Sequence, residues 1–288
     1  MPEVGEQSLD FSPAHQPEGA VEQKKQSEIP AWRSNAKTSV ALRRNLSTPE
    51  SLVRRLSSTE VEDREKITIG AATAAEKVNE DNHFYDQQGI AVVCDGVGSS
   101  ENGGVASEVA TDLLAKQLQK IDTDTNRENA EKSIADALQD TDMFIQWEQA
   151  MTGQDMASTA SVMKVITEGE KTYAVIGNVG DSPVYRMRNG KLKELTNYNQ
   201  DLPAREHRQA LGKDLPLRPH VFSVRFKQGD LLLLTSNGVR KNDPEMKGMR
   251  KILDKIREPQ KIAESLVTRL NGKSRDARTV IVVARPPK

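Results

Sequence analysis

From residue 67 onward, apolar positions recur with two alternating periods, and the points where the period changes delimit elements. I-T-I-G-A-A-T-A-A, beginning at Ile67, alternates loosely, as a half-buried strand does. H-F-Y-D-Q-Q-G-I-A-V-V-C-D predicts a hairpin that ends in a buried strand over 90–94. After a run of glycines, Val105, Val109, Leu113, Leu114, Leu118 and Ile121 fall at helical spacing and predict an amphipathic helix over 104–121. A second helix follows, with Ala130, Ile134, Ala137, Leu138, Phe144 and Trp147 on its inward face. Strands are predicted over 159–167, 171–177 and 182–188, the last closing on Asn-Gly at 189–190, a hairpin turn pair. Strands over 222–226 and 231–235, helices over 244–256 and 259–270, and a buried strand over 279–284 complete the pattern.

Hairpins between neighbouring strands imply antiparallel pairing, and helix pairs bracket the strands. The predicted class is α+β: two antiparallel β-sheets packed as a sandwich and flanked by helix pairs. Strict β-α alternation, the mark of a doubly wound nucleotide-binding fold, is absent.

The segment before this region has a different texture. Residues 1–65 are rich in Ser, Pro, Gln, Glu and Lys, with Phe11 and Trp32 their only Phe or Trp, and they read as a disordered polar tail ahead of a domain over 66–288. Within the tail, L-R-R-N-L-S-T-P-E and V-R-R-L-S-S-T-E resemble each other. Paired arginines ahead of Ser47, Ser57 and Ser58 suit a basophilic kinase, and equally a solvated basic tail or a short docking helix.

Charge and cysteine content narrow the setting. Among 288 residues, 41 Lys+Arg balance 42 Asp+Glu, so no basic field points to nucleic acid. No apolar run approaches the ~20 residues of a membrane helix, and a single cysteine, Cys94, suits a reducing compartment. These features predict a cytoplasmic monomer that engages neither nucleic acid nor membrane.

Acidic residues gather where strands end. Glu80 and Asp81 precede the first hairpin, and Asp95 follows the buried strand and is itself followed by Gly96. Asp181 sits in N-V-G-D-S, and Asp276 precedes the last strand. Each alone reads as a turn residue. Brought to one sheet edge, they would repel one another unless a cation lay between them. Hard oxygen donors without His or Cys suit Mg²⁺ or Mn²⁺, and a pair of such ions roughly 3.5–4 Å apart activates water for phosphoryl transfer. The glycine-rich stretch 96–104 has a rival reading as a dinucleotide phosphate loop, although Asp95 would repel the phosphate.

Taken in order, these pieces resemble the PPM-type (type 2C) metal-dependent protein serine/threonine phosphatases. The carriers are N-E-D-N, V-C-D-G-V-G-S-S-E-N-G-G-V-A-S, M-A-S-T-A, I-G-N-V-G-D-S-P-V-Y-R-M-R-N-G-K-L-K-E-L-T, Q-A-L-G, G-D-L-L-L-L-T-S-N-G-V and R-D-A-R-T-V-I-V-V, over about residues 66–285. The resemblance implies the sandwich fold and a phosphorylated protein substrate, a Ser/Thr kinase or its target. It also implies two ions, Mg²⁺ or Mn²⁺. Asp95 would bridge them and the Gly96 carbonyl complete the first shell, with Asp276 and the residue at 237 holding the second ion. Asp181 would serve a third, looser position. Glu80 and Asp81 would orient metal-bound waters beside Asp95; apart from the resemblance, Lys77 and Arg205 are this chain's own candidates to grip substrate phosphate. Val97 stands where some relatives carry a histidine acid.

Several positions depart from the family pattern. Asn237 replaces an aspartate ligand of the second metal, and Lys241 another acid. Glu76 replaces a phosphate-gripping arginine, Pro183 the arginine of G-D-S-R, and Ala277 an asparagine. Losing one carboxylate about 4 Å from an ion removes on the order of 4 kcal/mol at an effective dielectric near 20. That is roughly two to three decades of affinity. Three readings therefore stand side by side: a metal-hungry phosphatase, a pseudophosphatase that binds phosphoproteins or partners, and an unrelated phosphohydrolase or nucleotide-binding protein.

Overall fold

The computed structural model describes residues 67–76, 78–196, 209–213, 216–269 and 276–287, all within the unit Asp63–Lys288. The tail therefore lies outside the described residues.

Among the described residues, ten strands form two five-stranded sheets. In chain order they are β1 (Thr68–Ala74), β2 (Asp81–Tyr85), β3 (Ile90–Asp95), β4 (Ala160–Glu168), β5 (Lys171–Val179), β6 (Val184–Arg188), β7 (Lys191–Glu194), β8 (His220–Arg225), β9 (Leu231–Thr235) and β10 (Arg278–Ala284). One sheet runs β1-β10-β9-β6-β7 and the other β2-β3-β4-β5-β8, with every pairing antiparallel. The helices among the described residues are α1 (Gly103–Leu118), α2 (Arg127–Thr152), α3 (Asn237–Asn242), α4 (Lys247–Lys255) and α5 (Pro259–Arg269).

The near-continuous apolar strands are explained by burial on both faces. Along β3, Ile90, Val92 and Cys94 meet α1 and α2, while Ala91 and Val93 face the other sheet. Along β9, Leu231 and Leu233 pack on α4 and α5, while Leu232 and Leu234 fill the gap between the sheets. Strand β10 divides likewise, Val280 and Val282 outward and Ile281 and Val283 inward. The result is a helix–sheet–sheet–helix stack with three apolar layers, the α+β sandwich predicted from the pattern.

Local details depart from the sequence reading. Phe144 and Trp147 are only half-buried, and Ile145 takes the inward position on α2. Helix α4 starts three residues later than predicted, because the Asp243 carboxylate accepts the Gly248 and Met249 amides at 3.1 and 2.6 Å. His83 and His220 lie half-buried in β2 and β8. The antiparallel order also removes the dinucleotide-loop reading, which needs a parallel βαβ unit around α1.

Candidate metal centre

Where the apolar layer between the sheets ends, polar residues take over. Alternation along β2 and β3 sends Asp81 and Asp95 into that inter-sheet space, and the two are register partners. With Glu80, Gly96, Asp181, Asn237 and Asp276 they line one cleft of about 630 Å³. The structure thus brings seven sequence-selected positions together. Lys77 and Arg205, the expected phosphate grips, lie outside the described residues.

Each side chain is held by a specific local device. Asp95 closes β3, where its amide donates to Thr159 Oγ1 at 3.2 Å and its carbonyl accepts the Thr159 amide at 2.8 Å. Gly96 follows because a Cβ there would stand 2.5 Å from the Gly103 carbonyl, so only glycine lets α1 dock against the strand end. The Gly96 amide donates to the Glu80 carbonyl at 3.0 Å, which joins the two loops. Asp181 rides on a turn fixed from below by buried polar groups. Asn178 Nδ2 donates to Ser161 Oγ and to the Ser182 carbonyl, both at 2.8 Å, and Ser182 Oγ pairs with Thr159 Oγ1 at 2.7 Å. This network escaped the sequence reading, although an Asn inside an otherwise apolar strand was a visible sign of it.

The 237–242 segment, which no predicted element covers, is the short helix α3. Ser236 ties its start to β10: the Ser236 hydroxyl donates to the Ala277 carbonyl at 3.2 Å and accepts the Thr279 amide at 3.0 Å. The Asn237 amide N–H then donates to Asp95 Oδ2 at 3.1 Å, and its side-chain Nδ2 lies 3.3 Å from both oxygens of Asp181. One turn on, Lys241 Nζ sits 2.5 Å from Asp276 Oδ2. Glu76, at the position of the expected arginine, stands 3.7 Å from the nearly buried Arg278.

Lys213 was not singled out from sequence and also lines the cleft. It follows an A-L-G segment clamped by α2: Asp142 accepts the Gly212 amide at 2.8 Å, and Gln146 Nε2 donates to the Lys213 carbonyl at 3.0 Å. Lys213 Nζ reaches Ser100 Oγ at 3.1 Å and Asp155 at 3.5 Å. A lysine beside a glycine turn bears no sequence sign of such placement.

The electrostatics show where positive charge is lacking. Burial, and then the Asp81 charge, push the Asp95 carboxyl up to about 8. Burial also raises Asp81, with the Thr279 and Ser236 hydroxyls pulling it partway back. Asp81 Oδ2 is buried and has no hydrogen-bond partner among the described residues. An orphaned carboxylate oxygen beside a destabilised carboxylate and the adjoining Gly96 carbonyl forms a hard-oxygen donor set that fits one divalent ion. The residues around Asp181 and Asp276 fit further ions poorly, since an amide and an ammonium already occupy their carboxylates. Among the described residues no three His, Cys, Asp or Glu side chains gather closely enough to cage an ion. The expected convergence is thus met at the level of one shared cleft and not of a closed ligand cage.

Comparisons with known proteins agree with this architecture. The chain is 29% identical over 234 residues to the serine/threonine phosphatase stp of Listeria welshimeri, covering 72% of this chain and 90% of the relative. Its fold matches PppA, a regulatory component of the type VI secretion system in Pseudomonas aeruginosa, with a TM-score of 0.63, 24% identity and coverage of 76% and 97%. The catalytic domain of the phosphatase PstP, solved with two manganese ions, matches with a TM-score of 0.62, 20% identity and coverage of 76% and 98%. The family model described as protein phosphatase 2C matches residues 71–273. That span includes every cleft residue except Asp276 and Ala277, and the chain belongs to the protein phosphatase 2C family.

Proposed function

We propose that this chain is a metal-dependent protein serine/threonine phosphatase that hydrolyses phosphoserine and phosphothreonine in protein substrates, a Ser/Thr kinase or its targets among them. The observation that carries this reading is the meeting of Asp81, Asp95, Asp181 and Asp276 in one cleft at the open end of the sandwich. Asp95 and the Gly96 carbonyl would hold a divalent ion, Mg²⁺ or Mn²⁺, with Asp81 beside it. When bound, that ion lowers the pKa of a water and draws negative charge from the phosphoryl oxygens.

The chain's own residues supply position and charge balance. Glu80 and Asp81 would accept hydrogen bonds from the attacking water, which passes one proton through them to solvent as it bonds. As the water oxygen bonds to phosphorus, the ester P–O bond breaks and the serine or threonine oxygen leaves. Val97, on the cleft wall, offers no proton, so the leaving oxygen takes one from solvent. Lys213, clamped at its backbone and open to the cleft, is the cation that meets the phosphate dianion in this reading, with Lys77 and Arg205 as further candidates. The cleft is open and polar, as a phosphorylated side chain on a protein surface requires. Among the described residues, no helix is long and apolar enough to cross a membrane. The reading places the protein in the cytoplasm as a monomer.

The test is phosphate release from a phosphothreonine peptide by the full chain, titrated from micromolar to millimolar Mn²⁺. Release is expected to depend on Mn²⁺, and Asn237→Asp is expected to need less of it. Absence of release at saturating Mn²⁺, with release restored in Asn237→Asp, would remove the enzyme reading of the natural chain.

A further inference from the structure

We infer that the Lys241 ammonium, together with the Asn237 amide one turn before it, replaces a divalent cation in the acidic cleft, so that the chain takes up a single ion. This rests on the reading of the cleft as a divalent-ion site, and it concerns occupancy, whatever the substrate.

Positions 237 and 241 are four apart on α3, so their side chains leave the same face. That face looks onto the carboxylates, and each residue satisfies one of them. Lys241 Nζ lies 2.5 Å from Asp276 Oδ2, and Asn237 Nδ2 lies 3.3 Å from both Asp181 oxygens. An asparagine attracts a carboxylate only through its NH₂. In that orientation its carbonyl turns away from Asp181, and presenting the oxygen to an ion means giving up the contact. An aspartate at 237 would instead repel Asp181 and Asp95 until a cation came between them. An ion shared with Asp276 has a parallel difficulty, since it must displace the ammonium and then sit beside it.

Asp81 and Asp95 receive less help. The Asn237 backbone N–H reaches Asp95 Oδ2 at 3.1 Å, yet Asp81 Oδ2 has no hydrogen-bond partner among the described residues. The cleft thus divides into a part neutralised from within, at Asp181 and Asp276, and a part short of positive charge, at Asp81 and Asp95. One divalent ion belongs at the second.

The test is calorimetric titration of the full chain with Mn²⁺ alone, without substrate. The natural chain is expected to bind one ion. Lys241→Met keeps the aliphatic stem of a half-exposed side chain and is expected to gain a second ion or tighten binding by about tenfold or more. Lys241→Arg keeps the charge and is expected to bind as the natural chain does. Two ions in the natural chain, or no gain in Lys241→Met with its circular dichroism spectrum retained, would overturn the inference. A gain in Lys241→Met with no phosphate release from any variant would leave the inference standing and remove the phosphatase reading.

Discussion

Asn237 differs from the aspartate it replaces by one heavy atom, and that atom reverses the sign of its dealings with Asp181. A carboxylate there accepts and repels, whereas the amide donates to both Asp181 oxygens at 3.3 Å. Lys213 is the other single residue on which substrate handling turns. Its ammonium is partly exposed and held by Ser100 and by Asp155 at 3.5 Å, contacts loose enough to yield to a dianion. An exposed charge-assisted contact contributes about 1.5 kcal/mol, so Lys213→Ala is expected to raise KM for a phosphopeptide roughly tenfold with a smaller change in kcat. Initial-rate kinetics check this, and a fall in kcat at unchanged KM would remove Lys213 from substrate binding. The acids were legible because an Asp at the end of an apolar strand is conspicuous. Lys213 was not, because its importance comes from α2 gripping the backbone on either side of Gly212.

Elements were legible where their period was strong and uninterrupted. Strands β3, β9 and β10 and helix α1 stand out in the pattern, and the Asn-Gly turn between β6 and β7 is present with both residues at positive φ. Helix α3 has no counterpart among the predicted elements because six residues with one apolar side chain display no helical period. What forms it is close docking onto the entry to β10. A Cβ on Gly238 would stand 2.0 Å from the Ala277 carbonyl oxygen, so α3 cannot approach β10 with any other residue there. Gly238→Ala is therefore expected to push α3 outward and destabilise the domain by about 1–3 kcal/mol, read as a lower urea midpoint. The same shift separates Asn237 from Asp95 and Lys241 from Asp276, and calorimetry is expected to show altered Mn²⁺ uptake in that variant.

At the scale of the molecule, the sandwich creates an electrostatic strain that no single element has. Burial between the sheets, with Asp81 alongside, holds Asp95 near 8 against an ordinary 3.8. The metal-free folded chain therefore keeps a proton that the unfolded chain releases at a much lower pH. The stability from this group is fully present below about 4 and is lost as pH rises towards about 8. Thermal melts of the metal-free protein are expected to show a Tm that falls across this window, with a shallower slope in Asp95→Asn. Because protons and ions compete for the same oxygens, Mn²⁺ is expected to raise Tm more at pH 8 than at pH 6. An Mn²⁺ shift independent of pH would mean that the ion does not use Asp95.

The sequence by itself determined the two-sheet class, most element positions and the identity of the acidic residues, because alternation, helical spacing and turn chemistry are local and leave a linear record. It also displayed Asn237, Lys241 and Glu76 as departures from the family pattern. Only the tertiary structure decided which partner each would find: Asn237 with Asp181 and Asp95, Lys241 with Asp276, Glu76 with Arg278. Those residues lie tens to hundreds of positions apart along the chain. What brings them within a few ångströms is the packing of two sheets, whose apolar faces must meet and whose polar strand ends must therefore share one opening.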